Sequence, residues 1–512
     1  MSNYYSHDIG MEFPLNTPGE FEPLAAALCD FYKLAHRPMY PKGTQLVYST
    51  WTPRATRMKD VCEVAVFGNQ AFTKRFLIDY FNKNFFKRNK QEVLAEYTRF
   101  VKFTLGDQNP ETKHLEELHD LGYLPLLIKA LPEGTVVPLR TPVLTIQNTD
   151  PRFFWLTNYI ETLASCELWP CYTAATIARE YRKILNKAAM ETVGDTGFVM
   201  FQGHDFSMRG MMGVHAGMLT GMGHLTQFSG TDTCPSISSA EYYYKANIEK
   251  ELVGTSIPAS EHSIQCAYGD DMEYLRTLIN VVHPSGPVSI VSDGYDFWDV
   301  IGRVIPALKK DILARKGSPI GLDKVVIRPD SGDPVLIVCG DPDAPRGSLQ
   351  HKGAVEALWD IFGGTVTANG YCLLDSHIGL IYGDAITLNR AKEIMDRLKA
   401  KGFASINVVF GIGSYTYQYN TRDTFGFALK STACVINGKE KQIFKNPKTD
   451  DGIKKSQKGK VAVWKDANGK INYTDGLTLD HEMSGDMLVP IFENGKILNA
   501  TTFEEVRARA KV

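Results

Sequence analysis

The chain has 512 residues, 44% of them hydrophobic. That is enough for a large core and, at roughly 100 to 200 residues per domain, implies two or three domains or one barrel with a companion. Lys plus Arg (56) nearly balances Asp plus Glu (58), and the net charge of −2 argues against a nucleic-acid protein held by a basic surface. Nine cysteines, an odd number with no C-x-x-C pair, exclude a zinc ribbon or thioredoxin motif and read as reduced thiols. The opening MSNYYSHDIGMEFPL lacks the basic and apolar regions of a signal peptide, and no apolar run approaches the ~18 residues of a membrane span. A cytoplasmic protein without nucleic-acid or membrane partners is expected.

In chain order, residues 1–165 mix helices with β-rich stretches such as GTVVPLRTPVLTIQNT (134–149). A helix is expected over 176–188, with Ile177, Tyr181, Ile184 and Ala188 inward and Arg179, Arg182 and Lys183 outward. Short apolar or β-branched runs then end in polar or glycine residues: 197–206, 225–232 (the weakest), 256–262, 287–293, 324–330, 379–384 and 405–411. Helical patterns separate them. In 386–400, Leu388, Ala391, Ile394, Met395 and Leu398 share a face, and Gly402 suits the C-terminal cap. Residues 430–512 read as short strands and turns, with Asn-Gly inside the hairpin 461–476. The stretch 441–460 reads as a mobile basic loop, and no solenoid repeat is present.

Strand-helix alternation with polar clusters at strand ends predicts an α/β fold. The expected architecture is an irregular β/α barrel (166–425) beside a β-rich domain assembled from the N-terminal (1–165) and C-terminal (426–512) segments. An open doubly wound sheet would give the same local pattern.

The clusters point to phosphate and sugar chemistry. In IRPDSGDP (327–334), Arg328 and Asp330 leave a strand end together, an Arg fork for phosphate and a carboxylate for a ribose diol. Asp384 offers a second strand-end acid, and the pair also suits magnesium held through carboxylates and phosphate. FGIGSYTYQYNTRD (410–423) is a glycine-bearing turn where Gly411 and Gly413 let backbone N–H groups approach phosphate, with Arg422 and Lys430 downstream. GHDFSMRG (203–210) carries His204, Asp205, Phe206 and Arg209, and Phe206 beside an Arg suits a flat heteroaromatic ring. Asp232 in GTDT suits an amide donor. His262 in SEHS is better partnered by Asp293 than by its neighbour Glu261. The Gly/Met-rich 210–225, with His215 and His224, reads as helix packing rather than a metal site. No P-loop is present. These residues alone describe an enzyme for a phosphorylated sugar and a flat base, without separating a transferase, an isomerase or a nucleotide-binding regulator.

At these residues the chain resembles the nicotinate phosphoribosyltransferase family, and within it the nicotinamide-using branch. The similarity runs from CDFYKLAH at 29 to near the C-terminus and includes LPEGTVVP, HDFSMRG, FSGTDT, SIPASEHS, PVSIVSDGYD, IRPDSGDP, YGD, NTRD and GIKKSQKG. The resemblance implies transfer of phosphoribosyl from phosphoribosyl pyrophosphate to nicotinamide, in a homodimer with two shared sites. By that similarity, nicotinamide stacks between Phe206 and the other subunit's Tyr32, and Asp232 accepts the carboxamide. Asp330 and Asp384 hold the ribose, while Arg209, His262 and Arg328 meet pyrophosphate. Ser289, Gly383, Gly413, Ser414, Arg422, Lys430, Arg54 and Lys454 complete the substrate contacts. It also implies ATP as co-substrate, phosphorylating His262 as oriented by Asp293, and magnesium carried on the pyrophosphate rather than by protein ligands. Two positions depart from the animal enzymes: their F-G-S-G-G-G turn is Phe410–Tyr415 here, and a phosphate-site serine is Ala428. A nicotinate-specific enzyme and a non-catalytic signalling relative are the alternatives.

Overall fold

The structure, a computed structural model, describes residues 21–445 and 456–512. Six strands form one sheet in the spatial order Gly230–Thr231, Gly203–Asp205, Val408–Ile412, Ile378–Tyr382, Val325–Arg328 and Val288–Val291. Every neighbouring pair is parallel. The segment between Thr255 and Ala259 joins the two edges, since Gly230 bridges Thr255 and Ser289 bridges Ala259, both in parallel. The result is the expected irregular barrel. Its strands are covered on both faces, which is why they read as unbroken apolar runs rather than alternating ones. Ile290, Ile327, Leu380 and Phe410 are buried in its core.

Three runs differ from the strands expected. In 197–206 only the last residues pair; Val199–Gln202 is a helical turn. Gln202 instead donates its amide to the carbonyls of Ser405 and Val408 at 2.8 and 3.0 Å, tying this turn to the next strand's entrance. The run 225–232 contributes two strand residues. The run 256–262 makes isolated bridges because Pro258 has no N–H for a ladder, and His262 opens the helix His262–Tyr268.

A second, antiparallel sheet of seven strands draws on both ends of the chain, in the order Lys439–Gln442, Ala428–Ile436, Thr44–Thr52, Leu144–Asn148, Leu126–Ala130, Val489–Glu493 and Lys496–Ile497. Trp51 on its third strand is fully buried and stacks on Phe427 with ring centres 5.2 Å apart. The hairpin Lys460–Lys465 and Ile471–Leu477 turns at Gly469, whose φ of +79° needs glycine. Residues 446–455, within the expected basic loop, lie outside the described residues.

The 32-residue helix Glu161–Thr192 connects the two halves. Leu163, Leu168 and Tyr172 enter the antiparallel core, whereas Ala174, Ile177, Tyr181 and Leu185 enter the barrel core. Its basic face is not simply outward. Arg182 donates to the Gln227 carbonyl at 2.6 Å, and the Arg179 Nε and Nη1 atoms are buried. Ile184 is only half-buried. The helix Val214–Leu225 uses glycine for close packing: a Cβ at Gly223 would stand 2.9 Å from that of Ala174. Its His215 pairs with Glu167 at 2.6 Å, and His224 with Tyr417 and the Gly230 carbonyl. Thr387 caps the helix Leu388–Ala400, and Gly402 follows at φ +81°. No helix among the described residues is long and apolar enough to cross a membrane.

Glu133 connects the barrel flank to the antiparallel part. Its buried carboxylate accepts the N–H groups of Gly68 and Gln70, each at 2.7 Å, and the Tyr244 hydroxyl at 2.8 Å. Glu133→Ala leaves three buried donors without an acceptor and is expected to cost about 3–5 kcal/mol. Urea unfolding should show a lower midpoint; an unchanged midpoint would contradict this assignment.

Candidate active site

Parallel strands share one direction, so their C-terminal ends share one rim. Phe206 follows the strand Gly203–Asp205, and Asp232 follows Gly230–Thr231. Asp293 lies beyond Val288–Val291, and Arg328 and Asp330 at the end of Val325–Arg328. Gly383 and Asp384 follow Ile378–Tyr382; Gly413 and Ser414 follow Val408–Ile412. His262 lies just past the closing segment.

At one side of the rim, the Phe206 ring sits 4.6 Å from His204 between ring centres, with the Arg328 guanidinium 6.0 Å from its own centre. Gly411 allows this placement, because a Cβ there would meet Phe206 at 2.6 Å. Asp232 Oδ1 accepts from His204 Nε2 at 2.9 Å and Ser256 Oγ at 2.5 Å. Burial alone would push this carboxyl up. The hydrogen bond and charge of His204, then Ser256 and Arg328, outweigh burial and hold it below its ordinary range.

Further along the rim, Asp293 commits both oxygens. Oδ1 accepts from His262 Nε2 at 2.9 Å; Oδ2 accepts the Asp330 N–H at 2.9 Å and the Ser331 hydroxyl at 2.6 Å. Its side chain is 2% exposed while that of His262 is 48% exposed. Burial raises Asp293, but these donors and the His262 charge bring it below the ordinary carboxylate range. Asp330 shifts the other way. Burial raises it first, Arg328 opposes this, and the charges of Asp293 and Asp384 add to the rise. Asp330 Oδ1 is buried with no protein partner, as are Arg328 Nε and Ser289 Oγ. Arg328 donates one guanidinium N–H to the Ser260 carbonyl at 2.9 Å and lies 3.7 Å from Asp330. Gly383 packs against Asp330 so closely that a Cβ would collide with its carboxylate, and Gly210 packs likewise on Ser414. Arg209 is exposed just before that contact.

The remaining expected residues stand in a second group. Lys430 reaches Glu161 at 3.5 Å, and Glu161 also binds the buried Lys33. Burial lowers Lys430; Glu161 opposes this, and the charges of Arg54 and Arg422 reinforce it. Arg54 donates to the Gly426 carbonyl at 2.9 Å. Tyr32 is 55% exposed beside His36. No described hydrogen bond, ion pair or ring contact links Tyr32, Arg422 or Lys430 to the rim group. Lys454 lies outside the described residues, and Ala428 pairs with Thr52 in the antiparallel sheet. Sequence reasoning assigned no task to Ser256, Ser260 or Glu161. Ser256 lies within the closing segment and Ser260 just after it in SIPASEHS, a serine repetition that was the available signal.

A model of the nicotinate phosphoribosyltransferase (NAPRTase) family matches residues 201–489, over half the chain and including all of the rim group. The chain belongs to the nicotinate phosphoribosyltransferase family. Among its relatives, a nicotinamide phosphoribosyltransferase of Acinetobacter baylyi is 50% identical over 487 residues, covering 94% of this chain and 95% of that protein. One of Mycoplasma genitalium is 34% identical over 456 residues, covering 86% and 95%. The crystal structure of nicotinate-nucleotide pyrophosphorylase from Pyrococcus furiosus superposes with a TM-score of 0.57 over 97% of each chain at 16% identity, a likeness of fold.

The opposite shifts of the two acids have opposite stability consequences. The folded pKa of Asp330 lies above its unfolded value, so its contribution is favourable only below that unfolded value and is lost as pH rises through the folded one. At pH 7 its charge is a cost, and Asp330→Asn should raise the melting temperature. Asp293 is depressed; its contribution is present above the unfolded pKa and lost as pH falls through the folded one. Asp293→Asn should therefore lower the melting temperature at pH 7. Both differences should shrink below about pH 4, near the unfolded carboxylate value. Melting curves from pH 3 to 8 test this; the same sign for both variants would contradict it.

Proposed function

We propose that this protein is a nicotinamide phosphoribosyltransferase, forming nicotinamide mononucleotide and pyrophosphate from nicotinamide and phosphoribosyl pyrophosphate. The observation that carries this reading is the ionised Asp232 beside the Phe206 ring, an acceptor for an amide next to a shelf for a flat ring. The strong relatedness to proteins bearing that name supports it. The nicotinamide ring lies on Phe206, with its carboxamide N–H donated to Asp232 and Ser289 as a further contact. The Asp330 carboxylate, with Asp384, takes the ribose hydroxyls. Arg328, Arg209 and His262 face the pyrophosphate.

The pyridine nitrogen supplies the electron pair for the new bond to the anomeric carbon, and the bond from that carbon to pyrophosphate breaks with its pair. No proton moves and no base is needed. The side chains act by positioning and by stabilising the leaving charge. Magnesium carried on the pyrophosphate would neutralise part of that charge, with Arg328, Arg209 and His262 facing the complex. Free cysteines throughout the described residues support a reducing, cytoplasmic setting.

Base choice is the first test. A carboxylate facing the ring substituent repels nicotinate by several kcal/mol, on the order of a thousandfold in preference. Purified protein with phosphoribosyl pyrophosphate and magnesium should convert nicotinamide far faster than nicotinate, with the product identified by mass. Asp232→Asn should relax the preference. Equal use of both bases by the unaltered protein would defeat this reading.

ATP coupling is proposed to run through phosphorylation of His262, whose ring is exposed at one edge and held by Asp293 at the other. ATP should raise turnover or lower the apparent KM, and His262→Ala should abolish that gain. Undiminished stimulation in the variant would exclude the phosphohistidine route.

The second residue group supports a shared site, in which a partner copy brings Tyr32, Arg54, Arg422 and Lys430 to this rim. Mixing Tyr32→Ala with Asp330→Ala should then restore activity. Half the dimers in a random equal mixture are hybrid and each has one intact site, so about a quarter of the unaltered level returns. No recovery, with hybrids confirmed by native mass measurement, would place the complete site within one chain.

A further inference from the structure

We infer that His204 and Ser256 are positioning residues for base selection: together they saturate one oxygen of Asp232 and leave the other to read the ring substituent. This inference rests on the proposed nicotinamide activity and names the side chains that would make its selectivity work.

Asp232 as a carboxylate can only accept, so His204 Nε2 must carry the proton it shares with Oδ1 at 2.9 Å. Ser256 donates to the same oxygen at 2.5 Å, from the segment that closes the barrel. Two donors on Oδ1 fix the rotation of the carboxylate and leave Oδ2 as the acceptor. They also favour the charged form, which matters because a protonated Asp232 would become a donor and welcome the carboxylate of nicotinate.

The barrel wall is shaped to keep His204 in this place. His204 and Phe206 are two residues apart on extended chain, so both point to the same side. Their rings pack at 4.6 Å. Behind the imidazole, Gly230 supplies the space: a Cβ there would stand 2.8 Å from His204 Nδ1 and 3.0 Å from the Gly203 carbonyl. One imidazole thereby supports both the stacking ring and the amide acceptor. The charged and titratable groups acting on Asp232 are His204, on the neighbouring strand, and Arg328.

The test compares kcat and KM for nicotinamide and nicotinate across pH for the unaltered protein, His204→Ala, His204→Gln, Ser256→Ala, Ser256→Thr and Asp232→Asn. Loss of a hydrogen bond to a charged group corresponds to about ten- to a hundredfold. His204→Ala and Ser256→Ala should raise the nicotinamide KM on that scale with a smaller change in kcat. They should also raise the nicotinate-to-nicotinamide ratio, increasingly so at lower pH as Asp232 gains a proton. The Gln and Thr variants retain a donor and should recover most of the preference. Gly230→Ala should reproduce the His204→Ala pattern by crowding the ring. Should His204→Ala fail to fold, Ser256→Ala, in an exposed segment, carries the test. An unchanged ratio in both alanine variants, with both bases losing activity equally, overturns the inference. If Asp232→Asn also leaves the ratio unchanged, the proposed base selection itself fails; if Asp232→Asn relaxes it while the other variants do not, only the positioning role does.

Discussion

Parallel pairing imposes one direction on the barrel strands, and everything at the rim depends on that constraint. Each strand is too short to carry chemistry by itself; Gly230–Thr231 contributes just two residues. Because the strands run the same way, the residues that follow them meet across one opening. Parallel strands with helices on the outside also need apolar side chains on both faces, which leaves the ends as the natural place for charge. The closing segment completes the arrangement with two bridges instead of a ladder, since Pro258 lacks an N–H. The same segment brings Ser256 and Ser260 to the rim, where they bind Asp232 and Arg328.

Within that ring of strand ends, neighbouring acids acquire different characters from their partners. Asp232 and Asp293 each accept from an imidazole and a serine hydroxyl, and their charge is stabilised despite burial. Asp330 has one oxygen buried without a donor and stands among other carboxylates, so its charge is disfavoured. The Asp330 side chain remains 27% exposed, so its carboxylate still meets the rim, consistent with the proposed hold on a ribose. Asp293 joins two of these elements: the same carboxylate that orients His262 fixes the turn carrying Asp330 and Ser331.

The antiparallel sheet is joined to the barrel through the helix Glu161–Thr192, whose first residue binds both Lys33 and Lys430. Glu161 thus relates the cationic group near Tyr32 to the helix that enters the barrel core. This organisation gives the basic side chains a rigid mounting while leaving Tyr32 and Arg422 exposed. An exposed group of this kind, with no described contact to the rim of its own chain, suits the proposed sharing between two copies.

Local chemistry was legible in the sequence wherever the relevant interaction is local. The apolar runs ending in Arg328–Asp330, Gly383–Asp384 and Gly411–Gly413 were readable because period and punctuation act over a few residues. The cap at Gly402 and the turn at Gly469 were readable for the same reason. Tertiary structure decided what depends on distant neighbours. It made Val199–Gln202 a helical turn through contacts with Ser405 and Val408, and it drew Arg182 against Gln227. It also selected Ser256 as a partner of Asp232 and set Asp330 apart from Asp293, because hydrogen-bond partners and the cost of burying charge are properties of through-space surroundings. The sequence by itself determined which residues could carry the chemistry; the fold alone decided which of them are held charged, which oxygen is left unpaired and which group stands apart, since each of those is an energy of proximity that no single stretch of chain contains.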